Sequence, residues 1–521
     1  MHDTLLNKKS DCIVVGTGMG GATIGYSLAL AGAKVLFLEK GRSSLKTDSW
    51  PGQYAETNAR IHKNSGWHDT LQRSGRYHTP IYDISSGHPK AFMPFMGMGT
   101  GGSSALYGAI LERFHPDDYT PGKYYPKCHE NISVPQRWPI SYQEIEPYYQ
   151  QAELLYGVAP QSQQPVTGLS AANTFAWSHL QKNGHHPYLL PTATEGLAGC
   201  KDNCQSFLCA RGCKNDSVKS ALVPAIEKHQ AELLDQCEVL DLIVKNQRVV
   251  GVVCKTATGE HQLMADRVIL AAGALASPAI LLKANGLANS SGLVGAYLMR
   301  HFVDLFAVKI PKTQMATESQ KQIGFNDFYL TEQGKLGTVQ SFGTMPPIEV
   351  VIEELKSTLP FGLGRPVSQM MTLLSPLVAK GYAAFLSDKL FFASIVEDLP
   401  NRHNRVSHHN GRTEISYTLT ADDHARINTM RQKVLAAFNP LSVTIMQQAG
   451  NNQRLAHACG TCRFGDDPKT SVLNRYNKTH DIDNLFVVDA SFFPTSGGIN
   501  PSLTIAANAL RVADAITQGV A

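Results

Sequence analysis

The sequence of 521 residues lacks an apolar run long enough to cross a membrane as a helix. Its longest charge-poor stretch is 359–392, which Pro366, Pro376, Lys380 and Asp388 interrupt. This pattern is typical of a mostly buried amphipathic helical region. The alternative is a lid at a membrane interface, which would admit an apolar substrate and give the protein a peripheral membrane contact.

The sequence also has little net charge. It carries 47 Lys and Arg against 43 Asp and Glu, a formal net charge of +4. A balance this close to neutral gives no reason to expect nucleic acid or an acidic partner. Apolar residues make up 43% of the chain and charged residues 17%. That composition is typical of a globular protein, and the length favours two domains.

An export signal is missing from the start of the sequence. Residues 1–10 form a short polar segment with neither a hydrophobic signal core nor a twin-arginine pair. We therefore expect the protein in the cytoplasm, and in the periplasm only if a partner with its own export signal carries it there. Because cytoplasmic thiols stay reduced, a dense group of cysteines in this chain favours metal binding over disulfides.

The first part of the chain has the pattern of a nucleotide-binding unit. Residues 12–15 predict a buried strand, and a turn with Gly16, Gly18 and Gly21 leads into a helix and a second strand that ends at Glu39. The glycines permit a tight turn and let a pyrophosphate approach the helix N-terminus. A carboxylate at Glu39 would accept hydrogen bonds from ribose hydroxyls. The alternative is a glycine-rich turn in another parallel sheet, and the motif alone does not distinguish FAD from NAD.

The last part of the chain carries the strongest functional pattern. His457 lies in a short loop, and a predicted buried strand ends at Asp489, which Ala490 follows. Asn500 and Pro501 then begin a closing helix, with Pro501 suited to its first turn. A carboxylate at a strand end and a helix N-terminus are both features of the crevice where doubly wound folds bind nucleotides.

These segments, together with 97–104 and 273–281, resemble the motifs of the glucose–methanol–choline (GMC) family of flavoprotein oxidoreductases. The motifs are spread from residue 11 to the end, so the resemblance covers the whole chain. It implies an α/β fold, in which a Rossmann-like FAD-binding domain is joined to an α+β substrate domain whose sheet covers the flavin.

The resemblance also implies which residues contact the cofactor. In the first signature these are Gly101, Gly102, Ser103 and Ser104, and the implied cofactor is FAD. Some relatives link the flavin covalently through a histidine. Because 97–108 contains no histidine, we expect the FAD of this protein to be noncovalent.

By the same resemblance, His457 is the base and Asn500 is its partner in oxidation of an alcohol or sugar. A neutral imidazole, with an ordinary pKa of about 6.5, can accept the hydroxyl proton while the hydride leaves for flavin N5. An amide can hold the substrate oxygen but cannot titrate, so we expect a single base. Asp489 matches the family residue that bonds the ribityl chain. The alternatives are an oxygen-using oxidase and a non-redox lyase or photoenzyme of the same fold.

Four cysteines lie close together in the middle of the chain: Cys200, Cys204, Cys209 and Cys213. Their spacing matches no standard zinc ribbon or ferredoxin motif. The last three resemble the cluster motif of FAD-dependent glucose and gluconate-type dehydrogenases, which implies an iron–sulfur centre and a cytochrome or small helper subunit as electron-transfer partner. The alternatives are another structural metal, disulfides and free thiols.

The motifs divide the chain into interleaved segments. We expect a discontinuous FAD-binding domain from 1–118, 195–300 and 455–521, and a substrate-binding domain from 119–194 and 301–454. The substrate domain is expected to select the substrate, whose identity no sequence pattern indicates.

Periodicity predicts several elements in these domains. Residues 249–254 and 261–269 predict two strands joined by a turn. Residues 390–396, 397–401, and 405–406 with 413–417 predict a strand, a turn and a paired strand. Residues 422–438 predict an amphipathic helix.

Overall fold

A computed structural model describes residues 8–125, 130–158, 168–195, 204–315, 321–331, 334–343, 345–352, 375–455 and 457–521. Cys200 lies outside the described residues, as does the charge-poor stretch up to residue 374. None of the helices within these ranges is both long enough and apolar enough to cross a membrane.

The strands are β1 (Ser10–Val15), β2 (Val35–Glu39), β3 (Ile81–Asp83), β4 (Lys90–Phe92), β5 (Pro187–Leu189), β6 (Glu232–Asp235), β7 (Glu238–Lys245), β8 (Arg248–Thr256), β9 (Gly259–Leu270), β10 (Phe302–Lys309), β11 (Ile323–Phe325), β12 (Leu330–Thr331), β13 (Gly334–Lys335), β14 (Gly337–Ser341), β15 (Lys389–Val396), β16 (Arg405–His409), β17 (Arg412–Ser416), β18 (Val443–Met446) and β19 (Leu485–Val487). The α-helices are α1 (Met19–Leu30), α2 (Ala55–Ile61), α3 (Trp67–Arg73), α4 (Gly102–Leu106), α5 (Tyr142–Tyr156), α6 (Ala171–Lys182), α7 (Val223–His229), α8 (Ala276–Lys283), α9 (Ser375–Leu386), α10 (Ala421–Ala437) and α11 (Ser502–Thr517).

A seven-stranded sheet carries the nucleotide-binding turn. Its strands run in the order β6-β2-β1-β9-β8-β7, and β19 also pairs with β9. β1 is parallel to both β2 and β9, and β19 is parallel to β9. The central strands are continuous apolar runs because helices cover both faces of a parallel sheet. Their carboxyl ends meet at one edge, which is where such folds bind nucleotides.

One strand joins the parallel and antiparallel parts of this sheet. The first half of β9 pairs antiparallel with β8, and its second half lies parallel to β1. The two strands predicted within 249–254 and 261–269 are confirmed as β8 and β9. β9 is therefore long enough to carry the chain from an exposed hairpin to the edge that holds the nucleotide-binding turn.

A second sheet is antiparallel and has six strands in the order β18-β10-β15-β14-β11-β5. The strand predicted at 390–396 is confirmed as β15, and its partners are β10 and β14. The segment 405–417 forms its own hairpin, β16 with β17, which extends a separate sheet through β3. The predicted pairing of 390–396 with this segment is therefore wrong. β15 is buried along almost its whole length, and burial on both of its sides favours the distant strands β10 and β14 over the neighbouring hairpin.

The helical predictions agree with the structure. The helix expected at 422–438 is α10, and the closing helix is α11, with Pro501 as its N-cap residue. The predicted fold class is confirmed, since a doubly wound parallel sheet is joined to an α+β unit. Gln340 of β14 and Ile395 of β15 line a cavity that the nucleotide-binding turn also lines, so the second sheet covers that cavity.

Candidate active site

A cavity of about 620 Å³ lies between the two large sheets. Of the predicted site residues, these line it: Gly16, Gly18, Glu39, Gly102, Ser103, Ser104, His457, Asp489, Ala490, Asn500 and Pro501. The predicted site residues Gly21, Gly101, Cys204, Cys209 and Cys213 are not among the described residues that line it. The structure therefore brings together motifs that are nearly five hundred positions apart in the sequence.

The β1–α1 turn is closed so tightly that side chains are excluded from it. Gly16 has φ +98°, and a Cβ there would meet the Ala271 carbonyl oxygen at 2.5 Å. A Cβ on Gly21 would meet the Gly16 oxygen at 2.1 Å, whereas the nearest atom to a Cβ on Gly18 is 4.0 Å away. Gly16 and Gly21 hold the turn closed, and Gly18 leaves its cavity face open. This arrangement fits a pyrophosphate at the N-terminus of α1.

Glu39 ties the end of β2 to that turn. Its Oε2 accepts hydrogen bonds from the Thr17 amide at 3.2 Å and the Thr17 hydroxyl at 2.6 Å, and Oε1 accepts from the Gly41 amide at 2.9 Å. Burial raises the pKa of Glu39, while these hydrogen bonds act to lower it. A carboxylate has about four acceptor sites. Glu39 can therefore hold the turn and still accept from a ribose hydroxyl.

The loop that precedes α4 packs against the same turn. Gly101 has φ +86°, and its amide donates to the Thr17 hydroxyl at 3.2 Å. The Ser104 hydroxyl donates to the Gly101 carbonyl at 2.7 Å. Gly102 and Ser103 line the cavity in front of this contact. Gly101 and Ser104 thus fix the loop, and Gly102 and Ser103 form the surface it presents to the cavity.

Asp489 follows β19 and joins three segments around the cavity. Its Oδ2 accepts from the Gly273 amide at 2.9 Å and the Ser277 hydroxyl at 2.5 Å. Its Oδ1 accepts from the amide of Ser491 at 2.8 Å and its hydroxyl at 2.5 Å. Burial raises the pKa of Asp489, and the same hydrogen bonds oppose this. In this structure Asp489 supports the neighbouring backbone, including Ala490, which also lines the cavity.

A pair of histidines determines which nitrogen of His457 faces the cavity. His301 is 1% exposed, and its Nε2 lies 2.9 Å from the Gly497 carbonyl oxygen and 3.2 Å from that of Ser496. Since carbonyl oxygens only accept, this Nε2 carries the proton, and the Nδ1 of a neutral His301 is an acceptor. His457 Nδ1 lies 2.7 Å from it and is the donor. The proton on His457 is therefore on Nδ1, and its Nε2 has a lone pair available as a base.

Both histidines are held in the neutral form. Burial lowers the pKa of His301 to about 4. Burial is the largest cause that lowers the pKa of His457 well below its ordinary value, and the electrostatic influence of His301 and Lys321 lowers it further. His457 also has φ +59°, an unusual backbone conformation for a residue other than glycine. No sequence motif indicated His301, because it lies just before β10 in a segment distant from the His457 loop.

A second hydrogen-bond network orients Asn500. The Gln340 side-chain nitrogen donates to Asn500 Oδ1 at 2.6 Å and also to the carboxylate of Glu112. Glu112 accepts in addition from the Tyr188 hydroxyl at 2.5 Å. When it is ionised, the carboxylate of Glu112 can only accept, so it fixes the amide group of Gln340, whose nitrogen in turn occupies the oxygen of Asn500. The Asn500 nitrogen is left to donate into the cavity. Sequence analysis missed Gln340 and Glu112, which come from segments with no motif of their own.

The cysteine loop packs directly against α4. The Cys209 and Cys213 sulfur atoms are 3.7 Å apart, and a hydrogen bond with Cys204 is the largest cause that lowers the pKa of Cys209, to about 4. The buried Lys214 ammonium donates to the carbonyl oxygens of Cys204 at 2.6 Å and Ala105 at 2.8 Å. Three of the four predicted cysteine ligands are therefore neighbours in a loop anchored to the cavity wall.

These thiols do not form a metal site by themselves. Within the described ranges, no three His, Cys, Asp or Glu residues are arranged to hold a metal ion. Cys200, the fourth predicted ligand, is outside these ranges. No disulfide joins Cys204, Cys209 and Cys213 to one another.

Comparison with known proteins assigns the chain to a family. Residues 10–303 and 403–509 match the N-terminal and C-terminal models of GMC oxidoreductase. The chain is 26% identical to 2-methyl-1,2-propanediol dehydrogenase of Mycolicibacterium austroafricanum, over 98% of this chain and 95% of that protein. It is 26% identical to paromamine 6'-oxidase of Streptomyces fradiae, over 97% of this chain and 91% of that protein.

A solved structure supports the fold. The chain superposes on a formate oxidase of Aspergillus oryzae RIB40 with a TM-score of 0.65 and 15% identity, over 98% of both chains. Identity this low shows the fold alone. The two matched regions cover most of the chain, and the glycine turn and cavity fit a bound dinucleotide. The protein belongs to the GMC oxidoreductase family and is an FAD-dependent oxidoreductase.

Proposed function

We propose that the enzyme oxidises a CH–OH group of a small alcohol or sugar, with His457 as the base and Asn500 as the group that holds the substrate oxygen. The observation that carries this proposal is the 2.7 Å contact between His457 Nδ1 and His301 Nδ1. This contact leaves His457 Nε2 as an acceptor on a residue that lines the cavity. The two relatives, one named for a propanediol and the other for paromamine, support a hydroxyl compound as substrate.

The protein's own residues would act on the hydroxyl group. His457 Nε2 accepts the hydroxyl proton, because a C–H hydride leaves readily only as the oxygen becomes an alkoxide. The Asn500 amide donates a hydrogen bond to that oxygen and favours its developing negative charge. When bound, FAD supplies the hydride acceptor, N5 of its ring. Asn500 and Pro501 also place the N-terminus of α11 at the cavity, where its partial positive charge favours an anion.

We propose that FAD is held noncovalently by the discontinuous domain formed by 1–118, 195–300 and 455–521. The glycine turn would hold the pyrophosphate and Glu39 a ribose, while the residues around Asp489 would face the ribityl chain. The second domain, 119–194 and 301–454, would then select the substrate.

The proposal predicts that an alcohol bleaches the bound flavin without oxygen. The experiment mixes the purified holoenzyme, under nitrogen, with a panel of simple alcohols, diols and sugars and records the visible flavin band. At least one member should bleach the band and yield the matching aldehyde or ketone. A lyase or photoenzyme would give a panel with no bleaching in enzyme that carries full flavin. That result would contradict the proposal.

The lowered pKa of His457 predicts the pH dependence of the reaction. A base whose pKa is below the ordinary value of about 6.5 stays neutral as the pH falls through 6.5. We therefore expect kcat/KM for flavin reduction to stay constant as the pH falls through 6.5 and to decline only at lower pH. Burial raises the pKa of Glu112 to about 7, so Glu112→Gln is the control for titration at that group. A decline centred at or above 6.5 that persists in Glu112→Gln would contradict the assignment.

A second candidate function is transfer of electrons through an iron–sulfur centre to an external acceptor, with a cytochrome or helper subunit as partner. The observation in its favour is the contact of the cysteine loop with α4. Because the described residues lack three arranged metal ligands, no step of the proposed reaction uses such a centre. A partner with an export signal would place the enzyme in the periplasm instead of the cytoplasm that the sequence predicts.

Metal analysis tests this second function. Protein purified without oxygen should contain about three or four irons, with acid-labile sulfide, for each flavin. The Cys209→Ser variant should lose the iron and keep the flavin. Flavin without iron in the wild-type protein would reject the cluster and leave oxygen or a small-molecule oxidant as electron acceptor.

A further inference from the structure

A lysine with no partner among the residues that the structure describes lies on the substrate side of the cavity. Lys321 comes two residues before β11 and lines the cavity with Gln340 and His457. No hydrogen bond or ion pair joins its ammonium to another residue in the part of the chain that the structure describes. An ammonium that is partly removed from water and has no counter-charge is costly, so its retention needs a reason.

The other lysines of the cavity are placed differently. Lys40 donates to Glu238 at 2.9 Å, and the charges of Lys40 and Glu238 both act on Lys283. These three residues line the cavity next to Glu39, at the nucleotide end. Lys321 instead lowers the pKa of His457, which places its charge near the proposed base.

A small open space adjoins the Lys321 ammonium. A Cβ built on Gly108 would lie 3.4 Å from Lys321 Nζ and 3.2 Å from the Gln205 side-chain oxygen. Both side chains therefore end at the same small volume, which stays open because Gly108 has no side chain. Gly108 and Gln205 also line the cavity. The ammonium is a donor, and the Gln205 amide becomes a second donor when it turns its nitrogen instead of its oxygen toward this space, so that a carboxylate can accept from both.

Glu112 does not serve as the partner of this lysine. Its carboxylate accepts from Tyr188 and Gln340, and it forms no ion pair with Lys321. It acts on Lys321 only through its charge, and burial, the larger effect, lowers the pKa of Lys321 to about 8. The positive group is therefore still available to an anion that enters the cavity.

We propose that Lys321 and Gln205 form a carboxylate subsite, so that the preferred substrates are hydroxy acids whose CH–OH group lies beside His457. This inference rests on the proposed function and adds the substrate class to it. The bound carboxylate would also offset the positive charge that otherwise opposes proton transfer to His457. A substrate without the acid group would leave the ammonium unpaired.

Matched substrate pairs test the subsite. The pairs are glycerate with glycerol and gluconate with glucitol, and kcat/KM is measured for anaerobic flavin reduction. In the wild-type enzyme the acid of at least one pair should be preferred by about 100-fold. Lys321→Met should bring that ratio close to one, and Lys321→Arg should keep most of it. Gly108→Ala should lower the ratio, because the added methyl group fills the space. Lys312→Met, at an exposed lysine, is the matched control and should leave the ratio unchanged.

A binding measurement separates this inference from the proposed function. Acetate is titrated into oxidised holoenzyme and followed by the change in the flavin spectrum. Binding should saturate in the wild-type enzyme and weaken at least about tenfold in Lys321→Met. The inference is wrong if acetate binds the wild-type enzyme and Lys321→Met equally. It is also wrong if neutral substrates match the kcat/KM of the acids, or if phosphorylated analogues such as glycerol phosphate are preferred to the acids. If neutral alcohols bleach the flavin but acids gain nothing, the subsite fails and the proposed function stands. If acetate binds through Lys321 but no panel member bleaches the flavin, the subsite stands and the proposed function fails.

Discussion

His457→Ala is expected to reduce its flavin with an alcohol about 1,000-fold more slowly than the wild-type enzyme and to keep its full flavin content. General base catalysis contributes roughly 10² to 10⁴ in rate. The unprotonated Nε2 of His457 is the base in this account, so its removal leaves the hydroxyl proton to water. The rate constant for anaerobic flavin reduction, measured by rapid mixing, isolates this step from the reaction with the electron acceptor.

Two controls distinguish loss of the base from loss of structure. His88→Ala removes an exposed histidine, and we expect wild-type rates from it. The rate of His457→Ala should also rise with pH and with the acidity of the alcohol, since hydroxide or an easily ionised hydroxyl replaces the missing base. A flat pH profile, or a rate within about threefold of the wild-type value, would show that His457 is not the base.

The second large effect is expected at His301, which acts through His457 as a positioning residue. His301→Leu removes the acceptor that holds the proton of His457 on Nδ1. Without it, the imidazole can turn its N–H toward the substrate, in the wrong tautomer for a base. We expect flavin reduction to slow by about 100-fold, similar to the cost of losing other partners that orient a functional histidine.

A conservative variant tests the tautomer argument. The side-chain oxygen of His301→Asn can accept from His457 Nδ1, so this variant should recover at least about tenfold of the rate lost in His301→Leu. The acid limb of the pH profile should stay below 6.5 in His301→Leu, because burial, the largest cause of the lowered pKa of His457, remains. Equal rates in the two variants would mean that His301 only fills space.

Local sequence signals were enough for the parts of the site that depend on neighbouring residues. The glycines of the β1–α1 turn are required by contacts such as the 2.1 Å approach of a Gly21 Cβ to the Gly16 oxygen. The start of α11 follows from Asn500 and Pro501 in the same way. The structure places Gly16, Gly18, Asn500, Pro501 and His457 around one cavity.

Residues that support the site had no such signal. Gln340 belongs to β14, and His301 and Lys321 lie just before β10 and β11, which are strands of the second sheet that pair over long distances in the sequence. A polar residue in a buried strand has the same local pattern whether it faces a cavity or another side chain. The partners of β15 were likewise set by burial from both sides, which a local hairpin pattern cannot indicate.

The most direct test of the central claim compares an alcohol with the same alcohol deuterated at its reacting carbon, each mixed with holoenzyme under nitrogen. The account predicts that both bleach the flavin and that the deuterated alcohol does so measurably more slowly, because the bond to that hydrogen breaks as the hydride leaves. Failure of every panel alcohol to bleach a fully flavin-loaded enzyme would contradict the account.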